Sequence, residues 1–415
     1  MRILFLSINY WPDTTGIAAF NIWRCEYLAA RGHQVTICTG PPYYPQWRVP
    51  AAYRGRLLQR EERNGVRILR SWMYVPQVLS TKKRVLHEAT FLAGSLARAL
   101  ATRRPDLIFV VSPPLGLGLS ASFLSRLWRV PCVFDVEDLQ PDAAVELGMM
   151  RPGRMVDLLY RVERIAYRNA ALLSTITEGM RQRIVAKGFD PARVTLFPPR
   201  ADSALYGLRQ RESGADFRRR YGLQGKFLVT HSGNMGVKQG MEVILDAAAL
   251  SSARPDILYL LVGDGAMRAK LQEQASARQL RNVRFLPILD DAEFREMLAA
   301  TDLALITQQK VVSDIVFPSK TVTLLSAGCP IVAAVNLGSE VAHAVVNSAA
   351  GRVVEPENPA LLWQAVASLS AAPADLEAMR QRATQYATEC WDERRTLPRM
   401  EAELEACVAR WQAQH

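Results

Sequence analysis

The 415-residue sequence has no Cys-x-x-Cys pair and no regular cysteine spacing. Its six cysteines, Cys25, Cys38, Cys132, Cys329, Cys390 and Cys407, are expected as reduced, mostly buried thiols of a cytosolic protein. A signal-peptide pattern is missing too. "MRILFLSINYWP" has a short apolar run leading straight into a turn, which reads as a buried strand. No apolar run of bilayer length is uninterrupted. The nearest, "LIFVVSPPLGLGLSASFL" (107–124), is broken by Pro113, Pro114, two glycines and three serines, so a strand, a turn and a buried helix are expected. The Walker phosphate loop and the GxGxxG dinucleotide fingerprint are absent. So is any groove-reading module or basic-aromatic array, which argues against nucleic acid as a partner.

Acidic residues are scarce in the first half. Residues 1–200 hold 28 Lys and Arg against 15 Asp and Glu, whereas 201–415 hold 23 against 25. The net charge of +11 therefore belongs to the first half alone, and suggests a partner with a negative surface. Its basic stretches are 54–70, 80–105 and 151–170. The middle one reads as a helix with apolar Val85, Leu86, Phe91, Leu92, Leu96 and Leu100, flanked by Lys82, Lys83, Arg84, Arg103 and Arg104. Such a helix can lie on an anionic membrane or turn its apolar stripe onto a sheet.

The length suits two domains of about 200 residues each. Short apolar, β-branched runs ("RILFLSI", "QVTICTG", "LIFVV", "CVFDV", "ALLSTIT", "VTLFP") alternate with helical stretches, and a second series begins near 226 ("KFLVTHS", "LYLLVG", "VRFLP", "LALIT", "PIVAAV"). This predicts an α/β chain of two Rossmann-like, doubly wound parallel sheets. The expected bounds are 1–200 and 201–385, with C-terminal helices over 386–415 broken at Pro398. Two such domains are expected to hold ligands between the carboxyl ends of their strands.

Four post-strand loops of the second half draw attention. "HSGNMGVKQG" (231–240) puts Gly233, Asn234, Gly236 and Lys238 between a strand and a helix, where free N–H groups and the helix dipole favour an anion. "VGDGAMRAKL" (262–271) repeats the pattern with Gly263 and Asp264, and "FLPILDD" (285–291) is a strand end with free backbone groups. In "DIVFPSKTVTLLSAGCPIV" (314–332), Pro318 and Ser319 suit a helix start, Lys320 follows, and Gly328 closes the helix. Taken singly, each is ordinary: punctuation, a surface lysine, a turn or a cap. Two lysines and two helix starts converging would suit a diphosphate.

Together these stretches resemble the donor-binding half of the retaining family 4 glycosyltransferases, which have the GT-B fold. "NYWPDTTGIAAFNIWRCEYLAARGHQVTICTGPPYYPQW" and "FDVEDLQPDAAVELG" are similar to the first half of the colanic-acid and O-antigen type, and "CWDERR" to the C-terminal segment that crosses back onto the first domain. The resemblance implies that Lys238 and the backbone of Gly233–Gly236 hold a nucleoside diphosphate, with Lys320 and the N–H groups of Ser319, Lys320 and Thr321 adding charge. It implies that Gly16 lets backbone approach the donor and that Ile288 lies where the nucleobase is read. Many relatives carry two glutamates where this chain has Ile315 and Thr323, so Asp314 is the nearby carboxylate on the sugar side. In the first half Asp135, Glu137, Asp138 and Asp142 follow a strand; the resemblance singles out Asp138 as the group orienting or deprotonating the acceptor hydroxyl, with Asp142 beside it. No DxD stands in a loop suited to metal, so neither metal nor cofactor is expected, and fixed cations would stabilise the leaving diphosphate.

The implied reaction moves a sugar from a UDP- or GDP-linked donor to a polyprenyl-diphosphate-linked saccharide on the inner face of the cell membrane. Two alternatives stay open at this level: a GT-B-fold nucleotide-sugar epimerase or phosphorylase, and a sugar-nucleotide-binding regulatory protein without transfer activity.

Overall fold

The computed structural model describes residues 1–14, 16–78, 80–146, 150–151, 153–200, 211–311 and 319–414. The chain forms two compact units. One comprises Met1–Pro198 with Thr396–His415, and the other Pro199–Arg395.

The first unit is built on eight strands: β1 (Arg2–Leu6), β2 (Gln34–Thr39), β3 (Leu58–Arg63), β4 (Val66–Ser71), β5 (Leu107–Ser112), β6 (Cys132–Val136), β7 (Leu172–Thr175) and β8 (Val194–Leu196), in the order β3-β4-β2-β1-β5-β6-β7-β8. All neighbours are parallel except β3 and β4. That pair was not among the expected strands, because its charged stretch was read only as basic surface. Its local signal is Asn64-Gly65, both at positive φ (46° and 78°), a two-residue turn that closes an antiparallel hairpin.

Helices α1 (Ile17–Ala30), α2 (Thr81–Leu100), α3 (Leu117–Trp128), α4 (Gln140–Glu146), α5 (Arg154–Asn169) and α6 (Glu178–Ala186) connect these strands. Alternate residues of the strands point to opposite faces. Ile3, Phe5, Ile37, Phe109 and Val133 bury one face beneath α1 and the chain's last helix. Phe134 faces the other way, toward α3 and α5, where a Cβ on Gly118 would lie only 2.3 Å from that of Ala166. The stretch 107–124 is thus strand, turn and helix as expected, but the helix buries only one face and leaves Leu119 and Phe123 exposed, and none of the described helices is long and apolar enough to cross a membrane.

The second unit holds β9 (Phe227–Ser232), β10 (Ile257–Val262), β11 (Val283–Leu286), β12 (Leu303–Thr307), β13 (Ile331–Ala334) and β14 (Gly351–Val354), all parallel, in the order β11-β10-β9-β12-β13-β14. Its helices are α7 (Arg211–Arg220), α8 (Glu242–Leu250), α9 (Arg268–Ala277), α10 (Asp291–Ala300), α11 (Ser319–Ser326), α12 (Glu340–Asn347), α13 (Pro359–Ser370) and α14 (Pro373–Trp391). One core packs Leu258, Leu260, Ala304 and Ile306 against α7, α10, α11 and α14. The other packs Tyr259, Leu261, Leu303 and Leu305 against α8 and α13. This is the six-strand dinucleotide-fold order, whose direction reverses between β9 and β12.

The final helix, α15 (Glu393–Gln414), carries Pro398 within it. The expected break at Pro398 is corrected: the chain turns at Asp392, and proline is accommodated in the second turn of the helix that follows. Leu397, Met400, Leu404 and Cys407 of α15 join the first unit's core. Glu401 fastens the helix, accepting hydrogen bonds from Tyr27 (2.8 Å), Arg31 (3.1 Å) and His33 (2.9 Å).

Candidate functional site

In the second unit the loops after β9 and β12 flank the point where strand order reverses, the usual ligand position in such sheets. The turn after β9 is built on the GDG turn. Gly233 N donates to the Val262 carbonyl at 2.9 Å and Met235 N to that of Asp264 at 2.7 Å. A Cβ on Gly263 would stand 2.0 Å from the Gly233 carbonyl oxygen, and one on Gly265 2.6 Å from Asn234. Only glycine permits these approaches. Gly233, Asn234, Gly263 and Asp264 are therefore brought together, and GDG is a strand-to-helix turn.

Gly236 leads into a short 3₁₀ turn, Val237–Gln239, where Lys238 is exposed. The N–H groups of Gly236, Val237 and Lys238 donate to no described residue. The Lys238 carbonyl accepts from Gln309 N at 2.9 Å, which ties this turn to the segment after β12. Lys320 opens α11; it is half-buried, has no ion-pair partner among the described residues, and burial pushes its ammonium down to about 8. Thr321 and Thr307 are fully buried, and their hydroxyls have no partner among the described residues. Such orphaned groups are uncommon in a purely structural core.

His231, at the end of β9, was not expected as a site residue. It is wholly buried, and burial, followed by the charge of Lys320, holds its imidazole well below its ordinary range. Its signal in sequence was a histidine near the end of a buried strand, directly before the glycine turn. Thr323 is half-buried on α11. Ile288 is 72% exposed in the loop after β11. Asp314, Ile315 and the side chain of Ser319 lie outside the described residues.

In the first unit Gly16 caps α1 at φ 59°. The β1 loop is held by Asp13, which accepts from the Tyr43 and Tyr44 amides, both at 3.2 Å. The acidic segment after β6 divides. Asp135 and Glu137 turn inward onto Arg24 at 2.6 and 2.9 Å, all three buried, and Ser174 donates to Asp135 at 2.7 Å. Burial raises Glu137 to about 8, with the Asp135 charge adding to the rise and Arg24 opposing it. The rise favours the protonated carboxyl, which moves the cluster toward charge balance around Arg24. Asp138 follows it, half-buried, its carbonyl accepting from Gln140. Asp142 is drawn away into a network with Lys187 (2.5 Å) and Tyr160 (3.2 Å), Lys187 also holding Glu163.

Among the described residues, one trio has metal-ligand geometry: His33, Glu401 and Glu405, with ligand atoms within 4.8 Å. The N-terminal ammonium lies 3.0 Å from His33 Nδ1 and can only donate. The proton then sits on Nε2 and goes to Glu401. In this arrangement the trio is a latch for α15.

Comparison with known proteins bears on the whole chain. A glycosyl transferase 4-like domain matches residues 15–200, and a glycosyl transferases group 1 domain matches 215–389. WcaI of Escherichia coli (strain K12), a glycosyl transferase named for colanic acid biosynthesis, is 34% identical over 337 residues, 79% of this chain and 82% of that protein. Among solved structures, Anabaena Alr3699/HepE in complex with UDP superposes with a TM-score of 0.74 at 18% identity, covering 98% of this chain and 100% of that one. WaaG, a glycosyltransferase involved in lipopolysaccharide biosynthesis, gives 0.65 at 18%, with 97% and 99% coverage. These two likenesses speak for the fold, which is GT-B.

Proposed function

Because this chain belongs to the glycosyltransferases of the 4-like and group 1 type, we propose that it transfers a sugar, with retention and without metal, from a UDP- or GDP-linked donor to a polyprenyl-diphosphate-linked saccharide during surface-polysaccharide assembly. One observation carries the donor half of this reading. At the reversal point of the second unit, an exposed lysine, three N–H groups and a half-buried Lys320, none of these N–H groups nor Lys320 with a partner among the described residues, share one end of the sheet. Departure of a nucleoside diphosphate builds negative charge, and fixed donors stabilise it most where water is scarce. The UDP in the HepE structure is consistent with such a guest. Thr323 offers a hydroxyl where relatives place a carboxylate, so ribose would be held by a neutral contact. Asp138, next to the Arg24 cluster, would orient the acceptor hydroxyl.

A membrane acceptor is supported by the outer surface of α2, α3 and α5. Leu119, Phe123 and Leu127 form an exposed stripe along α3, joined by Leu158 and Ile165 on α5 and by Val85 and Leu86 on α2. Exposed Lys82, Lys83, Arg84, Arg126, Arg161 and Arg164 lie among them. Apolar side chains set among cations suit an anionic lipid surface, here the cytoplasmic face.

The test is release of free nucleoside diphosphate from UDP- and GDP-sugars by the purified chain. Release only with lipid-linked acceptor present supports transfer. An altered sugar without acceptor would make the protein an epimerase, and tight donor binding without turnover would make it a regulatory binder.

A further inference from the structure

The amino end of the first unit's sheet carries a polar hollow, at the opposite end of that sheet from the loop that holds Asp138. Arg2 pairs with Gln34 in register, Thr36 with Arg67, and Arg67 with Glu62. These side chains share the sheet face that α2 covers. Helix α2 is pinned by Arg98 to the Gln59 carbonyl at 2.9 Å and ends at Leu100, so it leaves the amino ends of β1, β2 and β4 uncovered. The result is a pocket of about 630 Å³ whose walls include Arg2, Arg60, Arg67 and Arg103 against the single carboxylate of Glu62. Its volume lies within the range of small-molecule sites. Arg2 is engaged with Asp106 at 3.4 Å, whereas Arg60, Arg67 and Arg103 make no ion pair among the described residues.

An uncovered sheet face needs polar side chains, but it does not need them all of one sign. Elsewhere on this unit some arginines are matched, Arg63 by Glu26, Arg84 by Glu88 and Arg181 by Glu178, and others such as Arg161 and Arg164 stand on open helix surface; Arg60, Arg67 and Arg103 instead line one hollow. Like charges gathered without partners repel, and such an arrangement is relieved by an anion. Guanidinium groups pair in a planar, bidentate way with phosphate oxygens.

We propose that this amino-end pocket binds a diphosphate-bearing ligand, independently of the donor site. The diphosphate can come from a soluble nucleotide or from a lipid head group; the pocket's chemistry is shared by both.

The experiment titrates the full chain with inorganic pyrophosphate at 150 mM NaCl by calorimetry. The proposal expects two sites. Arg67→Ala with Arg103→Ala should weaken one at least tenfold and leave transfer to a soluble acceptor unchanged, while Lys238→Ala with Lys320→Ala removes only the other. Arg67→Lys with Arg103→Lys keeps the charge and should recover part of the affinity. A parallel arm measures binding to vesicles of phosphatidylcholine with and without a polyprenyl diphosphate. Loss of diphosphate-dependent vesicle binding in the arginine variant, with no pyrophosphate site lost, assigns the lipid source. A single pyrophosphate site removed only by the lysine changes, with vesicle binding unaffected by the arginine changes, overturns the proposal. So does unsaturable binding that salt abolishes. If the lysine changes alter nothing, the donor-site reading fails while the amino-end site is still judged on its own variants.

Discussion

The Lys238 carbonyl accepts a hydrogen bond from Gln309 N at 2.9 Å, joining the turn after β9 to the segment after β12. The two chain segments on either side of the strand-order reversal are thereby fixed to one another. A diphosphate held by the first would meet groups positioned by the second.

Lys238→Ala leaves that backbone bond in place and removes only the exposed ammonium. Transfer should fall by on the order of 2–4 kcal/mol in transition-state stabilisation, as for loss of a single oxyanion donor. Single-turnover rates with a saturating donor are the measurement. An unchanged rate in a folded variant would remove Lys238 from the reaction.

Lys320 should make nucleotide binding depend on pH. Its ammonium is already lowered to about 8 by burial, and a bound diphosphate would raise it again. Binding then takes up a proton whenever the free site is neutral. Affinity for UDP or GDP should be flat below about pH 7.5 and fall by up to about tenfold per unit above pH 8. Lys320→Met should weaken binding and flatten the profile. A wild-type Kd that does not change between pH 7.5 and 9.5 would contradict this.

Glu137 should make the first unit's stability depend on pH in the unusual direction for a carboxyl group. Its pKa is raised from 4.5 unfolded to about 8 folded, so between these values the folded state binds more protons than the unfolded one. Stability from this group is fully present below 4.5 and is lost as pH rises through 8, at no more than about 1.4 kcal/mol per pH unit. Glu137→Gln should retain the contact with Arg24 and reduce that slope, seen as a smaller drop in Tm from pH 6 to pH 9. Arg24→Ala should instead destabilise at every pH, by roughly 3–5 kcal/mol, because it strands Asp135.

The stripe on α3 offers a separation of stability from membrane attachment. Leu119, Phe123 and Leu127 are 42%, 50% and 53% exposed, so replacing all three by Ser should change unfolding free energy little, within about 0.5 kcal/mol per site. Co-sedimentation with acidic vesicles should drop, and activity on a water-soluble acceptor should persist. Neutralising Lys82, Lys83 and Arg84 should lower the same binding by at most about 1 kcal/mol per charge, and only at low to moderate salt. Equal loss on soluble and lipid acceptors would mean that these residues serve the fold.

Much of the architecture was legible locally. Fully buried parallel strands must be apolar along their whole length, so runs such as "LIFVV" and "LALIT" declare themselves, and the glycines at 233, 263 and 265 mark turns that only they can make. Hairpin β3–β4 escaped because a two-stranded edge with one wet face carries charges, and its Asn-Gly turn was its only mark. Pro398 misled because a proline's effect depends on where the helix begins, which packing of Leu397 and Met400 on the first unit decides. The tertiary structure alone sorted the acids after β6. Neighbours in sequence are Asp135, Glu137, Asp138 and Asp142, yet Arg24, 111 residues before Asp135, binds the first two, and Lys187 claims the last. It alone set His231 in the field of Lys320, which has no counter-charge among the described residues. Charge and residue type are written in the chain, but the field at a side chain is summed over groups that only folding brings near, and water excluded by packing sets how strongly each is felt.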